Sequence, residues 1–365
     1  MRAVAEIIRL HGAAYRAHGG DRLLPSHGRV LHDLAACRTA YFGGQLTQCD
    51  HCDRQVFRYH SCGNRHCPTC HGPHTERWLE TQRAQFLPCP YYLVTCTLPR
   101  DLRALAFAHQ RVVYGLLMRS AAAALQSLAA DPRYVGARLG CLAVLHTWTR
   151  AMLYHPHVHL LVTAGGLSSD GTQWIAPKNP AFLVPVQALS VIFRAKVCAG
   201  LRRAGLLDQG PAGIWTTPWV VHAQHAGRGQ RVLDYLGRYV FRIAIANSRL
   251  EEMTDDDVTF RYQDNRTHET RHVTLSGVEF LERFLQHVLP RGCAKVRYYG
   301  LWSTAQRADR TRARALLTAL PVIAAPPVPE PARPSSLGDL LQCPHCRVGT
   351  LIVIAVLRPS WSRPP

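Results

Sequence analysis

His157 and His159 stand one residue apart in His155-Pro156-His157-Val158-His159, inside an apolar stretch. Side chains alternate faces along a strand, so the two imidazoles point the same way, about 7 Å apart at Cα. Two imidazoles at that spacing can hold one divalent metal ion. Downstream, Tyr235 and Tyr239 lie in Tyr235-Leu236-Gly237-Arg238-Tyr239. In a helix they stack on one face, about 6 Å apart along the axis. A metal ion that polarises a phosphate and a phenol that attacks it are the parts of a DNA-nicking transesterase.

Each half of that constellation has an ordinary reading beside the chemical one. A lone histidine in an apolar strand is usually a satisfied core residue, but burying two costs hydrogen-bonding capacity unless something binds them. A third ligand must come from a neighbouring strand or from the tyrosine helix, and His146 on the preceding strand is the first choice, subject to the register of the pairing. His155 reads as a loop residue held by Pro156. Aromatic residues at i and i+4 are common on core helices. Here Arg238 and Arg242 accompany the tyrosines and can hold phosphates beside a phenolate.

Cys49-x-x-Cys52 and Cys67-x-x-Cys70 are two knuckles, and two knuckles make one tetrahedral zinc site. From Cys37 to His74 the chain is rich in Cys, His and Gly and poor in aliphatics, so it needs such a staple to fold. Cys37, Cys62 and His66 lie close enough to supply a second zinc site. Arg54, Arg58, Arg65 and Arg77 surround the cluster, as in a DNA-docking module. Cys343-Pro344-His345-Cys346 is another knuckle with no partner pair downstream; joining a distant site, weak zinc binding and inertness all stay open. Cys89, Cys96, Cys141, Cys198 and Cys293 read as ordinary cysteines.

The elements that must position these groups follow from periodicity. Val4, Ile7, Ile8 and Tyr15 make a first amphipathic helix. Strands are expected over 91–98, 142–149, 157–163 and 219–222, and a long helix from Leu102 to the stop at Asp131-Pro132. A second core helix follows Pro185, and Val232, Leu233, Leu236, Val240 and Ile243 describe the helix that carries the tyrosines. A hairpin pairs 258–262 with 272–275, Ser276 with Glu279 caps a further helix, and a last strand runs over 294–299. Strands and helices mix without regular βαβ alternation, which predicts an α+β fold with an antiparallel sheet. The Pro- and Ala-rich stretch 321–336 reads as a linker. The expected domains are a helical and zinc-binding DNA-docking domain over 1–85, a catalytic domain over 86–305, and a linker with a Cys-x-x-Cys tail over 306–365.

Lys and Arg outnumber acids 43 to 24, a formal charge of +19 that suits a polyanion, nucleic acid first. No apolar run is seen to approach the roughly 18 residues a membrane span needs. Glu6 and Arg9 interrupt what would be a signal's apolar region, so a cytoplasmic, nucleoid-associated protein is expected. Neither a membrane nor a small-molecule substrate is expected as a partner.

His-Pro-His-Val-His, Tyr-Leu-Gly-Arg-Tyr, the Asn64-Arg65-His66-Cys67-Pro68-x-Cys70 knuckle, and Leu289-Pro290 ahead of Arg297-Tyr298-Tyr299-Gly300 together resemble the two-tyrosine rolling-circle transposases. These are bacterial insertion-sequence enzymes of the HUH endonuclease superfamily, and the resemblance runs from the first helix to about Trp302. It implies an antiparallel-sheet HUH nuclease domain with helices, preceded by a small zinc-stapled domain. It further implies that His157 and His159 are ligands of a catalytic Mg²⁺ or Mn²⁺, that Tyr235 and Tyr239 are nucleophiles, and that the N-terminal domain binds zinc, which a closed four-ligand site makes structural. The implied partners are single-stranded DNA at transposon ends and target DNA. Phe241 departs from the pattern, since relatives often carry a histidine there. The rival readings are a rolling-circle replication initiator or relaxase, with the same chemistry, and a non-catalytic zinc DNA-binding regulator.

Overall fold

The computed structural model describes residues 3–20, 23–83, 85–179, 182–228, 232, 237, 243–264, 266–319 and 341–360. A central antiparallel sheet is built from β3 (Tyr91–Thr97), β4 (Arg138–Trp148), β5 (Tyr154–Leu167), β7 (Val221–Gly227) and β11 (Val296–Gly300), in the order β11-β4-β5-β3-β7. The two-residue β6 (Trp174–Ile175) adds to β5. β4 and β5 are buried along nearly their whole length, because both faces of the sheet are covered. That double burial is why both strands read as near-continuous apolar runs, with the histidines as conspicuous exceptions.

One face carries α4 (Arg103–Ala108), α5 (Gln110–Ala129) and α6 (Val186–Arg203), packed on Cys96, Leu139, Cys141, Ala143, Leu145, Val158 and Leu160. The long helix expected from Leu102 is thus two helices, interrupted at His109, which has left helical geometry (φ −121°, ψ 41°). By length and composition Gln110–Ala129 is apolar enough to cross a bilayer, which corrects the expectation that no segment approaches that limit. Its leucines and most of its alanines are buried against the sheet and α6, and it serves as the core helix. The opposite face packs Leu142, Val144 and Leu161 against Tyr91, Trp302, Ala313, Leu317 and Val232. Ala313 and Leu317 belong to a helix over Arg307–Ala319 that the sequence reading did not place.

A second core joins α1 (Val4–Gly19) and α2 (Pro25–Ala35) to a three-stranded sheet and the helix after it. That sheet is β8 (Leu250–Met253), β9 (Asp257–Gln263) and β10 (Thr270–Ser276), in the order β10-β9-β8, and the helix spans Gly277–Leu285. The Ser276 hydroxyl caps the helix by accepting from the Glu279 N–H, as the sequence predicts. A third sheet holds β1 (Gly44–Cys49) between β2 (Gln55–Tyr59) and β12 (Leu351–Leu357), all antiparallel. Contacts therefore cross residues 85 and 305: α1 packs on the Gly277–Leu285 helix, and the C-terminal strand pairs with the first strand of the chain. α3 (His71–Arg83) leads from the cysteine-rich segment to the central sheet. The 321–336 linker expectation lies outside the described residues. The architecture is α+β with antiparallel sheets throughout.

Candidate active site

Antiparallel pairing of β4 with β5 sets His146 directly opposite His157, and the alternation of β5 brings His159 to the same face. Their ring centroids lie 5.4 Å (His146–His157), 4.7 Å (His146–His159) and 4.9 Å (His157–His159) apart. One nitrogen from each ring falls within 4.8 Å of the others, and no carboxylate joins the group among the described residues. His146 is buried and the other two are half-buried. His157 Nδ1–H donates to the His155 carbonyl at 2.7 Å, so the neutral ring presents its Nε2 lone pair on the other side. Burial lowers the His157 pKa, which keeps that lone pair unprotonated at neutral pH. Thr95 on β3, opposite His159 in the register, hydrogen-bonds His159 Nδ1 at 3.0 Å. Such contacts fix tautomer and ring orientation in metal-binding histidines. Three imidazoles, two of them with the second nitrogen engaged, fit a divalent ion.

His155 differs from its expected place. It lies within β5, not in a loop, and Arg103 Nη2 donates to its Nδ1. Burial, then the neighbouring His157 and Arg103, lower its pKa to about 4. The ring is thereby committed away from the three-histidine group. Behind His146, the Trp148 ring stacks at 4.7 Å, and Lys295 Nζ stands 5.1 Å over that indole. Desolvation, with a smaller contribution from Arg65, brings the Lys295 pKa down to about 7. Thr95, Arg103, Trp148 and Lys295 were not singled out in the sequence, because their nearness depends on strand register.

Tyr235, Tyr239, Arg238 and Arg242 lie outside the described residues, as does Phe241. The residues that flank them are informative. Val232 is fully buried on the sheet face that holds Val144, two residues before His146. Ala244 and Ile245 are buried in the second core together with Met152, just past the end of β4.

The cysteines regroup relative to the expected Cys49, Cys52, Cys67 and Cys70 site. One cluster is Cys37, Cys62, Cys67 and Cys70; the other is Cys49, Cys52, Cys343 and Cys346. β1 and β2 run antiparallel, so the Cys49–Cys52 turn sits at one end of the hairpin, while the chain leaves β2 beside Gly44 at the other end and turns into Cys62, Cys67 and Cys70. A strand of that length separates the two ends by roughly 15 Å, too far for one ion. In the first cluster Cys37 and Cys62 both lie 3.5 Å from Cys70, Sγ to Sγ. Mutual hydrogen bonding splits the acidities of these thiols, with contacts from Cys62 and Cys67 lowering Cys37 to about 7. The same crowding raises Cys62 and Cys67.

His66 is outside both clusters, and Arg65 Nε donates to its Nε2 at 3.3 Å. Arg65 also departs from the DNA-docking expectation. Its guanidinium donates to the carbonyls of Cys293 (2.7 Å), Leu289 (3.0 Å) and Pro290 (3.2 Å), fastening the cysteine-rich module to the loop before β11. Cys89, Cys96, Cys141 and Cys293 are buried and Cys198 is half-buried, apart from either cluster.

Comparison with known proteins gives consistent results. A family model described as "Putative transposase" matches residues 140–310, and a "Transposase zinc-binding domain" model matches residues 7–98. The chain is 39% identical to "Putative transposase y4qJ" of Sinorhizobium fredii, over 97% of this chain and 95% of that protein. It is 31% identical to the transposase for insertion sequence element IS801 of Pseudomonas savastanoi pv. phaseolicola, over 73% of this chain and 68% of that protein. Among solved structures, a metal-bound conjugative relaxase TrwC in complex with oriT DNA aligns over 61% of this chain and 69% of that one, with 16% identity and a TM-score of 0.26, a likeness too slight to argue from. The near-full-length match to a putative transposase and the shorter match to an insertion-sequence transposase, with a zinc-binding match over the cysteine-rich segment, show that this chain belongs to the IS91-type transposases and carries their N-terminal zinc-binding domain.

Proposed function

We propose that this transposase nicks single-stranded DNA at the ends of its element and rejoins it to a target by tyrosine transesterification, in the rolling-circle manner of the HUH endonucleases. The observation that carries the reading is the convergence of His146, His157 and His159 on one sheet face, each able to offer a nitrogen to a common point. A divalent ion held there supplies positive charge to the scissile phosphate and helps align it. An all-imidazole donor set favours Mn²⁺ over Mg²⁺, which prefers oxygen ligands.

The protein's own residues do the rest. The His155 carbonyl and Thr95 hold the His157 and His159 rings in their working orientation. A phenol oxygen of Tyr235 or Tyr239 attacks phosphorus in line. The P–O3′ bond breaks, leaving a 5′-phosphotyrosine link; the phenolic proton passes to solvent and the departing 3′-oxygen takes one up from solvent, giving a free 3′-hydroxyl with no net change in protons. The linkage retains the phosphodiester's energy, so joining to a new 3′-hydroxyl requires no nucleotide cofactor. A second tyrosine lets one protein take a second strand before the first is resolved. Arg238 and Arg242 stand beside the tyrosines in the sequence and are assigned to the DNA phosphates. The flanking residues support this assignment: the segment leaves one core at Val232 and enters the other at Ala244, and β4 links the same two cores through His146. The enzyme would act in the cytoplasm, where its DNA lies.

The test is cleavage of a single-stranded oligonucleotide carrying the element's end, with Mn²⁺ titrated against EDTA. His157→Ala and His159→Ala are each expected to lower the metal-stimulated rate at least about 100-fold, the loss typical of removing one transition-state charge stabiliser. Unchanged cleavage in both variants, or full cleavage in EDTA, would refute the metal assignment.

A further inference from the structure

The zinc-binding match ends at residue 98, yet the described structure holds a second four-cysteine cluster that needs both ends of the chain. Cys49 and Cys52 come from the turn between β1 and β2, and Cys343 and Cys346 from the turn just before β12. Cys49 and Cys346 are 3.7 Å apart, Sγ to Sγ, and Cys52 and Cys343 are 3.8 Å apart. Four thiolates at about 2.3 Å from a tetrahedral zinc ion stand about 3.8 Å from one another. A disulfide would bring two sulfurs to about 2.05 Å.

The two turns are built alike. Asp53 and Arg347, each directly after the second cysteine, adopt left-handed backbone with φ 54° and 58°. Asp adopts that conformation readily, whereas a long side chain such as Arg347 does so only where the surroundings favour it. The Asp53 N–H donates to the Cys49 carbonyl (3.1 Å) and the Arg347 N–H to the Cys343 carbonyl (3.0 Å). The Cys49 N–H donates to Arg54 (3.1 Å) and the Cys343 N–H to Gly349 (2.8 Å). Backbone N–H groups also reach sulfur, from His51 to Cys49 and from Gly349 to Cys346, both at 3.4 Å. The turns are stitched together by the Asp50 N–H to the Thr350 carbonyl and by the Thr350 N–H to Asp50 Oδ1. Gly349 makes that approach possible, since a Cβ there would lie 2.6 Å from Cys49 Sγ and from Asp50 Oδ1.

Hydrophobic burial does not hold the C-terminal strand in place. Leu351 is buried against the cysteines, but Ile352, Ile354 and Val356 are 54%, 47% and 68% exposed. Beyond its backbone pairing with β1, a cross-link at the cysteines would secure a strand so placed. We propose that Cys49, Cys52, Cys343 and Cys346 bind a second structural Zn²⁺, a clasp that locks the C-terminal tail onto the N-terminal module and completes its sheet. The ion is held by four thiolates and has no open position, so the site serves folding and not the DNA chemistry.

Metal content of the full-length protein tests the clasp without reference to cleavage. The wild type is expected to carry two zinc ions per chain, Cys343→Ser/Cys346→Ser one, and Cys67→Ser/Cys70→Ser one. A parallel measurement on the unaltered protein avoids dependence on variant folding: alkylation of Cys343 and Cys346, mapped by peptide mass spectrometry, should be slow with zinc bound and rise at least tenfold once a chelator removes it. One zinc ion in the wild type, two in the Cys343/Cys346 variant, or alkylation equally fast with and without chelator would overturn the proposal.

Discussion

His287 is fully engaged and fully enclosed. Its Nδ1 meets Thr147 Oγ1 at 3.3 Å and its Nε2 the Met152 carbonyl at 3.1 Å, beside the end of β4 that carries His146. Burial lowers its pKa to about 4, so the folded state keeps the ring neutral where an unfolded chain would protonate it. The native pKa lies below the unfolded value of about 6.5, so the unfolded state binds more protons and stability falls as pH drops from about 6.5 towards 4. This one residue should cost about 2 kcal/mol of stability between pH 7 and pH 5. Urea unfolding of His287→Gln, set against wild type at both pH values, should show the pH dependence reduced by about that amount; parallel pH dependences would contradict the assignment. The same scale shows what spacing can reveal. His157 and His159 share a face because strands alternate, which two residue numbers suffice to predict. His146 joins them through a register that no local pattern encodes. The pairing of Cys67 with Cys37 and Cys62, and not with Cys49, likewise follows from which end of a hairpin each turn occupies.

α1 meets the Gly277–Leu285 helix at a point where only glycine fits. A Cβ on Gly277 would lie 2.1 Å from Cγ of the His11 ring, which is buried with no hydrogen-bond partner at Nε2 among the described residues. Gly277→Ala should therefore destabilise the protein by about 1–3 kcal/mol through overpacking, and His11→Ala in the same chain should recover part of that loss. Thermal melts of the two singles and the double variant measure it; a Gly277→Ala protein that melts with the wild type would show that the helices do not pack as described. Elements with a strong period were legible: the strands of the central sheet, the helix after Pro185, the 258–275 hairpin and the Ser276 cap all stand near their expected places. β1, β2, α3 and β12 were not, because the cysteine-rich segment and the tail draw their order from partners remote in sequence and not from an amphipathic pattern of their own; α2 was missed although His27, Val30, Leu31 and Leu34 follow helical spacing. His109 breaks the long helix without a proline or glycine to announce it.

Across the whole molecule, a formal charge of +19 pointed to a polyanion, and membership among the insertion-sequence transposases makes that polyanion DNA. The return of the C-terminus to the first sheet was not legible, since Cys346 and Cys49 meet across 297 residues of sequence. What the sequence offered most clearly was chemistry, two histidines and two tyrosines, while the fold supplies the third histidine and the surroundings that hold the rings. The proposed chemistry requires that a tyrosine of the 235–239 segment become joined to DNA. It is tested most directly by mixing the protein with Mn²⁺ and a single-stranded substrate carrying the element's end, denaturing, and mapping the DNA-linked peptide by mass spectrometry. A 5′-phosphotyrosine is expected at Tyr235 or Tyr239, and none in Tyr235→Phe/Tyr239→Phe, which keeps both rings and should still fold and bind DNA. An adduct at the wild-type rate in that double variant, or cleavage that yields a free 5′-phosphate with no adduct at any time, would contradict it.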